Sequence, residues 1–357
     1  MRHRLWLSRI SYKILTGNSA DFYTVDCLIC APRHAVGADK RSGSTTSASV
    51  ENAIGQRPQL TGDVFAMREQ YKALADGANA TRTISPNITV EDIKLSPNLT
   101  VRTYTPTARQ AESKPCPVGL YFHGGGLCCG DLDSEDNFCR LLAERLPCIV
   151  ISVGYRLAPE HKAPAQLDDA LEAWNWAYNN ASTLNGDRGR YFTVGQSAGG
   201  TLALAVARRL IVLGRKHEVK GIAAIVPFVV HPDGVPSRYM AQYRAFDEFG
   251  DGPVNTKQAM THFYKAIQAP PGDPDVYVLN AEADFHQFPP TYLAVCGIDP
   301  LRDDGLIIHD ALKTAGVSVK LDYYQGLPHV FWAFGCPPPS GDFVADVMAG
   351  IRLFTHT

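Results

Sequence analysis

Apolar and polar positions repeat with two periods along this chain, and from about Thr61 onward the switches between them become regular. Residues 64–75 carry Phe65, Met67, Tyr71 and Leu74 at near-helical spacing, which predicts an amphipathic helix. Residues 88–93 and 99–104 alternate apolar with polar around Ser96-Pro97-Asn98, the pattern of an antiparallel hairpin. Beyond it, strand-like and helix-like segments take turns. Residues 118–122, 148–153, 191–194, 221–229, 291–296 and 319–323 read as strands, and 137–145, 166–178, 198–213, 306–314 and 343–354 as helices. The runs 148–153 and 221–229 are nearly all apolar, as expected of parallel strands covered on both faces. This order predicts an α/β fold, with a mostly parallel, doubly wound sheet entered through a hairpin.

One stretch breaks the rhythm. Residues 230–289 hold no clear strand and are rich in Tyr, Phe, Pro and Gly. A long insertion after a sheet strand usually lies over the strand ends, where active sites form. With residues 61–85 it is expected to build a cap over a domain spanning 61–357. Residues 1–60 are expected to be a poorly structured extension, since 31–60 are dominated by Ser, Thr, Ala and Gly.

Composition narrows the partner more than the fold. Among 357 residues, 34 Lys and Arg nearly balance 36 Asp and Glu, so no global field favours nucleic acid or an anionic membrane. A small-molecule substrate remains. Arg2, Arg4, Arg9 and Lys13 precede the first acid, Asp21, which resembles an organellar transit peptide; the apolar run there is too short for a secretory signal or a membrane span. The nine cysteines are scattered, including Cys27-x-x-Cys30 and the adjacent Cys128-Cys129, and read as reduced thiols of a cytoplasmic protein.

Two glycine-rich motifs carry the chemistry. Gly195-Gln196-Ser197-Ala198-Gly199 follows the strand 191–194 and opens the helix at Ala198. In that context a tight turn lifts the serine hydroxyl above the sheet, and the helix N-terminus behind it favours developing negative charge. A helix-capping serine in an ordinary glycine turn is the competing reading. His123-Gly124-Gly125-Gly126 ends the strand 118–122, where missing Cβ atoms let backbone N–H groups approach a substrate oxygen. The N–H groups of Gly124, Gly125 and Ala198 are expected to form the oxyanion hole. The run lacks the spacing and the lysine of a phosphate-binding loop.

In G-x-S-x-G hydrolases the acid and then the histidine follow the serine in chain order. His309 falls within a helix and His356 in the terminal tail, which leaves His329, in Gly326-Leu327-Pro328-His329 after the last strand, as the general base. The acid candidates are Asp299, Asp303 and Asp304. Asp299 directly follows a strand, whereas Asp303 and Asp304 open the next helix, where acids commonly sit against the dipole.

Five ordered segments together resemble the hormone-sensitive lipase family of α/β-hydrolases: residues 121–126, Tyr155-Arg156-Leu157-Ala158-Pro159-Glu160-His161, residues 195–200, Asp299-Pro300-Leu301-Arg302-Asp303-Asp304-Gly305, and Pro328-His329. The resemblance implies an eight-stranded sheet with helices on both faces, a helical cap, hydrolysis of mostly short-chain acyl esters without a cofactor or metal, and Asp299 as the triad acid. It also admits a homodimer. More narrowly the chain resembles small fungal esterases of polyketide pathways, which implies removal of an acetyl group from an aromatic metabolite, and the aromatic-rich cap suits a flat substrate. One departure is visible: the family usually has an acid before the nucleophile, and here it is Gln196, so changed local hydrogen bonding is expected without lost activity. Two alternatives stand beside the esterase reading: a catalytically weak small-molecule-binding relative, and a lactone or arylformamide hydrolase using the same triad.

Overall fold

The structure, a computed structural model, describes residues 9–16, 19–26, 58–80, 85–107, 114–334 and 339–355. Near the N-terminus, β1 (Arg9–Thr16) and β2 (Ser19–Asp26) pair antiparallel as a sheet of their own. Apart from residues 58–60, the rest of the expected N-terminal extension, with Cys27 and Cys30, lies outside the described residues, as does His356. The six described cysteines are buried and free of disulfides.

The main sheet has eight strands. β3 (Ile88–Ser96) and β4 (Leu99–Pro106) form the expected hairpin, with Ile88 opposite Pro106. Then follow β5 (Cys116–Phe122), β6 (Ile149–Gly154), β7 (Gly186–Gln196), β8 (Gly221–Ile225), β9 (Thr291–Cys296) and β10 (Val319–Tyr324), in the spatial order β10-β9-β8-β7-β5-β6-β4-β3. β4 runs antiparallel to β6, and every pairing from β6 through β5 to β10 is parallel. The chain thus folds as the doubly wound sheet expected, and the parallel strands end together on one edge, where ligands bind in such sheets.

Strand alternation sorts the core into two layers. Val118, Leu120 and Phe122 of β5 face the layer that holds α3 (Ala165–Asn179) and α4 (Ala198–Val212), while Tyr121 faces α2 (Asp136–Arg145) and the C-terminal α7 (Pro339–Thr355). α1 (Val64–Asn79) is a turn longer than its pattern predicts, and its buried stripe differs from the expected one at a single position. Val64 and Met67 turn inward with Tyr71 and Leu74, whereas Phe65 is 54% exposed. The spacing i, i+3, i+7, i+10 from Val64 puts Tyr71 and Leu74 on one face, which Phe65 misses by a whole residue.

β8 also ends four residues before its apolar run does. Val226 takes a positive φ of 44°, and the N–H groups of Val229 and Val230 leave the ladder to donate to Asp304 Oδ1 at 2.8 and 3.2 Å. Asp304 lies in the first turn of α6 (Arg302–Thr314) and is fully buried, and burial pushes its carboxyl up to about 8. The folded state therefore holds a proton there that the unfolded chain releases above the ordinary carboxylate range. This contribution to stability is full at acid pH and is lost as pH rises toward about 8. Asp304→Asn, which is neutral throughout, is expected to flatten the fall of Tm between about pH 5 and 8, read by thermal melts across that range.

The insertion at residues 230–289 contains no strand. It holds a short helix (Ala245–Glu248), α5 (Lys257–Ile267) and a run of tight helical turns (Val278–Gln287). Its Tyr and Phe side chains pack on one another: the Tyr264 ring lies 5.8 Å from Phe228, 6.0 Å from Tyr277 and 6.4 Å from Phe246. These rings build the insertion's own core, which accounts for its aromatic composition without a flat substrate. Leu60 joins it through its N–H to Val254 O at 3.2 Å, and the Phe263 ring packs against Gly126. Among the described residues no helix is long and apolar enough to cross a membrane.

Candidate active site

β7 ends at Gln196 and α4 begins at Ala198, so Ser197 makes the whole turn between them. It does so with φ 52° and ψ −121°, a conformation that L-residues rarely adopt and that persists only where the surroundings enforce it. Two features enforce it. The Ser197 N–H donates to Ile225 O at 2.8 Å, and Gly199 lets the helix close onto β5, since a Cβ there would collide with the Phe122 carbonyl. The hydroxyl makes no capping bond to its own helix. The competing reading of a capping serine therefore fails.

The hydroxyl faces His329 instead. Ser197 Oγ lies 3.0 Å from His329 Nε2, and His329 Nδ1 lies 2.6 Å from Asp299 Oδ2. With the proton on Nδ1 donated to the carboxylate, Nε2 is a free base directed at Oγ. Asp299 is completely buried, and its other oxygen accepts the Leu301 N–H at 2.9 Å, so its orientation is locked. Three residues spread over 132 positions thus meet in a geometry able to deprotonate a nucleophile and return the proton.

The neighbouring acids are occupied elsewhere. Asp303 Oδ2 accepts the N–H groups of Arg244 and Ala245 at 2.7 and 2.6 Å, and Asp304 takes those of Val229 and Val230. Both tie loops near the strand ends to α6, a role the dipole argument did not supply. His309 lies on α6 and contacts Asp310 at 2.8 Å, away from the serine.

In the glycine loop one of the expected donors already has an acceptor. The Gly124 N–H is directed at Glu135 Oε1, 3.4 Å away. Gly125 and Gly126 take φ values of +103° and +65°, and a Cβ on Gly125 would run into the Cys129 carbonyl. Among the described residues, the N–H groups of Gly125 and Gly126 have no acceptor, and the Ala198 N–H is one of the unpaired donors that open α4. His123 lies beneath the loop, its Nδ1–H donated to Gly124 O at 2.8 Å and its ring stacked 4.1 Å from Tyr155, whose hydroxyl donates to His123 O at 2.7 Å. Burial pushes His123 down to about 4, so it is a neutral prop at pH 7.

Gln196 replaces the usual acid with both ends of its amide satisfied. Its Nε2 donates to Tyr121 OH at 2.6 Å, and its Oε1 accepts from Trp332 Nε1 at 2.8 Å. Trp332 follows His329 by three residues and stacks on Phe343 at 3.9 Å, so the strand that leads to Ser197 and the loop that carries His329 are joined through an uncharged bridge. Sequence reasoning missed Tyr71, Glu135, Tyr155 and Trp332. Of these, Tyr155 stood in a motif already singled out.

A family model described as alpha/beta hydrolase fold matches residues 119–333. The chain is 40% identical over 244 residues to versiconal hemiacetal acetate esterase of Dothistroma septosporum, covering 68% of this chain and 74% of that one. Among solved structures, an esterase from Pyrobaculum calidifontis superposes with a TM-score of 0.74 at 30% identity, covering 86% of this chain and 98% of that one. A structure titled vibralactone cyclase reaches a TM-score of 0.81 at 27% identity, covering 90% and 99%.

Proposed function

Because the chain belongs to the hormone-sensitive-lipase-like family of α/β-hydrolases and is a carboxylic ester hydrolase, we propose that it cleaves short-chain acyl esters through an acyl-enzyme on Ser197. The observation that carries this reading is the continuous hydrogen-bonded line from Ser197 Oγ through His329 to Asp299. Ser197 Oγ attacks the ester carbonyl carbon as His329 Nε2 takes its proton. The carbonyl oxygen becomes an oxyanion, which accepts the N–H groups of Gly125, Gly126 and Ala198. His329 then passes the proton to the departing alkoxide, leaving an acyl group on Ser197. Water, deprotonated by the same nitrogen, releases the acid and restores the serine. Each oxyanion donor stabilises the transition state by about 3 kcal/mol, and Asp299 steadies the imidazolium throughout.

Likeness to versiconal hemiacetal acetate esterase supports an acetyl ester as substrate, with a role in secondary metabolism. An acyl series of p-nitrophenyl esters from acetyl to octanoyl tests this part. On this reading kcat/KM is highest for acetyl and falls at least about tenfold by octanoyl, the lower end of what one misfit methylene costs in a hydrophobic pocket. A maximum at octanoyl would overturn it. A second reading, an internal ester as substrate, is favoured by the likeness to a cyclase named for a lactone. Turnover of simple lactones above the acetyl esters would select it.

A further inference from the structure

We infer that Glu135 is a positioning residue for the oxyanion loop, and that Tyr71 of the N-terminal helix α1 holds it in place. The inference rests on the assignment of Gly125 and Gly126 as oxyanion donors and names the side chains that aim them.

The loop's own turn is closed by the Cys128 and Cys129 N–H groups, which donate to Gly125 O at 3.0 and 2.8 Å. Three consecutive glycines have no side chains with which to anchor, so contacts from outside add to what that turn and the His123 prop fix. Two such contacts depend on one face of α1. Tyr71 donates its hydroxyl to Glu135 Oε1 at 2.6 Å, and the same oxygen faces the Gly124 N–H at 3.4 Å. That contact turns the first glycine amide away from the site, which leaves the next two to point into it. One turn earlier on α1, Arg68 Nε donates to Cys128 O at 2.5 Å, gripping the far end of the loop. The Arg68 guanidinium also binds Ala158 O at 2.7 Å and Glu160 at 2.6 Å, so it is itself immobilised.

The arrangement is costly for a residue of merely structural purpose. Glu135 Oε2 is shielded from water and has no hydrogen-bond partner, and burial pushes the carboxyl up to about 7. An apolar residue would fill the same space without an orphaned oxygen. What an apolar residue cannot supply is an acceptor shared by Gly124 and Tyr71. The role therefore belongs to the oxygen and not to the charge.

Three variants separate these contributions. Glu135→Gln keeps a carbonyl oxygen for both donors, Glu135→Leu keeps the volume alone, and Tyr71→Phe removes the hydroxyl that fixes the carboxyl. Each is assayed with p-nitrophenyl acetate and with a trifluoromethyl ketone, whose hemiketal with Ser197 carries an oxyanion. Rates are taken per active site, counted with a phosphonate that labels the serine. Glu135→Gln is expected within about threefold of the parent, and Glu135→Leu lower in kcat by about 10- to 100-fold with KM little changed, less than the full loss of a donor. Ketone affinity should fall by the same factor as kcat. Tyr71→Phe should lose about three- to tenfold in both quantities. If Glu135→Leu fails to fold, Tyr71→Phe carries the test. Unchanged kcat and ketone affinity in the folded variants would overturn the inference, as would equal losses in Gln and Leu. A parent that neither turns over the ester nor binds the ketone would instead sink the esterase mechanism itself.

Discussion

Ser197→Ala is expected to lower kcat for p-nitrophenyl acetate by on the order of 10⁵- to 10⁶-fold while the fold survives. The alanine loses the nucleophile and nothing that supports the elbow. The turn is held by backbone bonds, the Ser197 N–H to Ile225 O and the Thr201 N–H to Ser197 O at 3.1 Å, and these persist. The hydroxyl donates to no backbone group, so Tm should stay within a few degrees of the parent. Residues that act as a unit fail as a unit: adding His329→Ala to Ser197→Ala should cost almost nothing further. Initial rates of the single and double variants, with melting curves, check both halves. A residual rate within tenfold of the parent would remove Ser197 from the mechanism.

Asp299→Asn is expected to cost roughly 10⁴-fold in kcat, although it replaces one atom. The Asp299 carboxylate accepts two N–H groups, those of His329 Nδ1 and Leu301. An asparagine has one acceptor oxygen for these two donors. If its oxygen stays with Leu301, its NH₂ meets Nδ1, the imidazole moves its proton to Nε2, and the base is lost. If its oxygen turns to His329, the NH₂ opposes the Leu301 N–H in a fully buried site. The first orientation keeps an acceptor for the Leu301 N–H and is the one expected, so kcat falls while Tm changes little. Steady-state rates and melts of the one variant read both.

Much of this was legible in the chain. The doubly wound sheet followed from apolar runs alternating with helical stripes, because burial on both faces leaves a compositional mark that needs no knowledge of contacts. Ser197 stood out because a strand, a glycine turn and a helix are contiguous. His329 and Asp299 were reachable through chain order, with the resemblance deciding among three aspartates. What stayed hidden depends on direction or distance. The conformation of the glycine loop rests on φ values of +103° at Gly125 and +65° at Gly126, which glycine permits and does not specify. The end of β8 is decided by Asp304, 74 residues beyond Val230. Tyr71 and Glu135 are 64 residues apart, and neither lies in a recognisable motif. The inward turn of Val64 in place of Phe65 shows a smaller version of the same limit, since a one-residue phase error moves a side chain by about 100° around a helix.

In the proposed mechanism an acyl group passes through Ser197. Mixing the protein with excess p-nitrophenyl acetate, quenching in acid within the first turnovers and mapping the peptides by mass spectrometry tests it most directly. The mechanism predicts a burst of p-nitrophenol stoichiometric with active sites, and one acetyl group on the peptide that contains Ser197. Steady hydrolysis with no acetyl on that peptide, or with the acetyl on another residue, would contradict it.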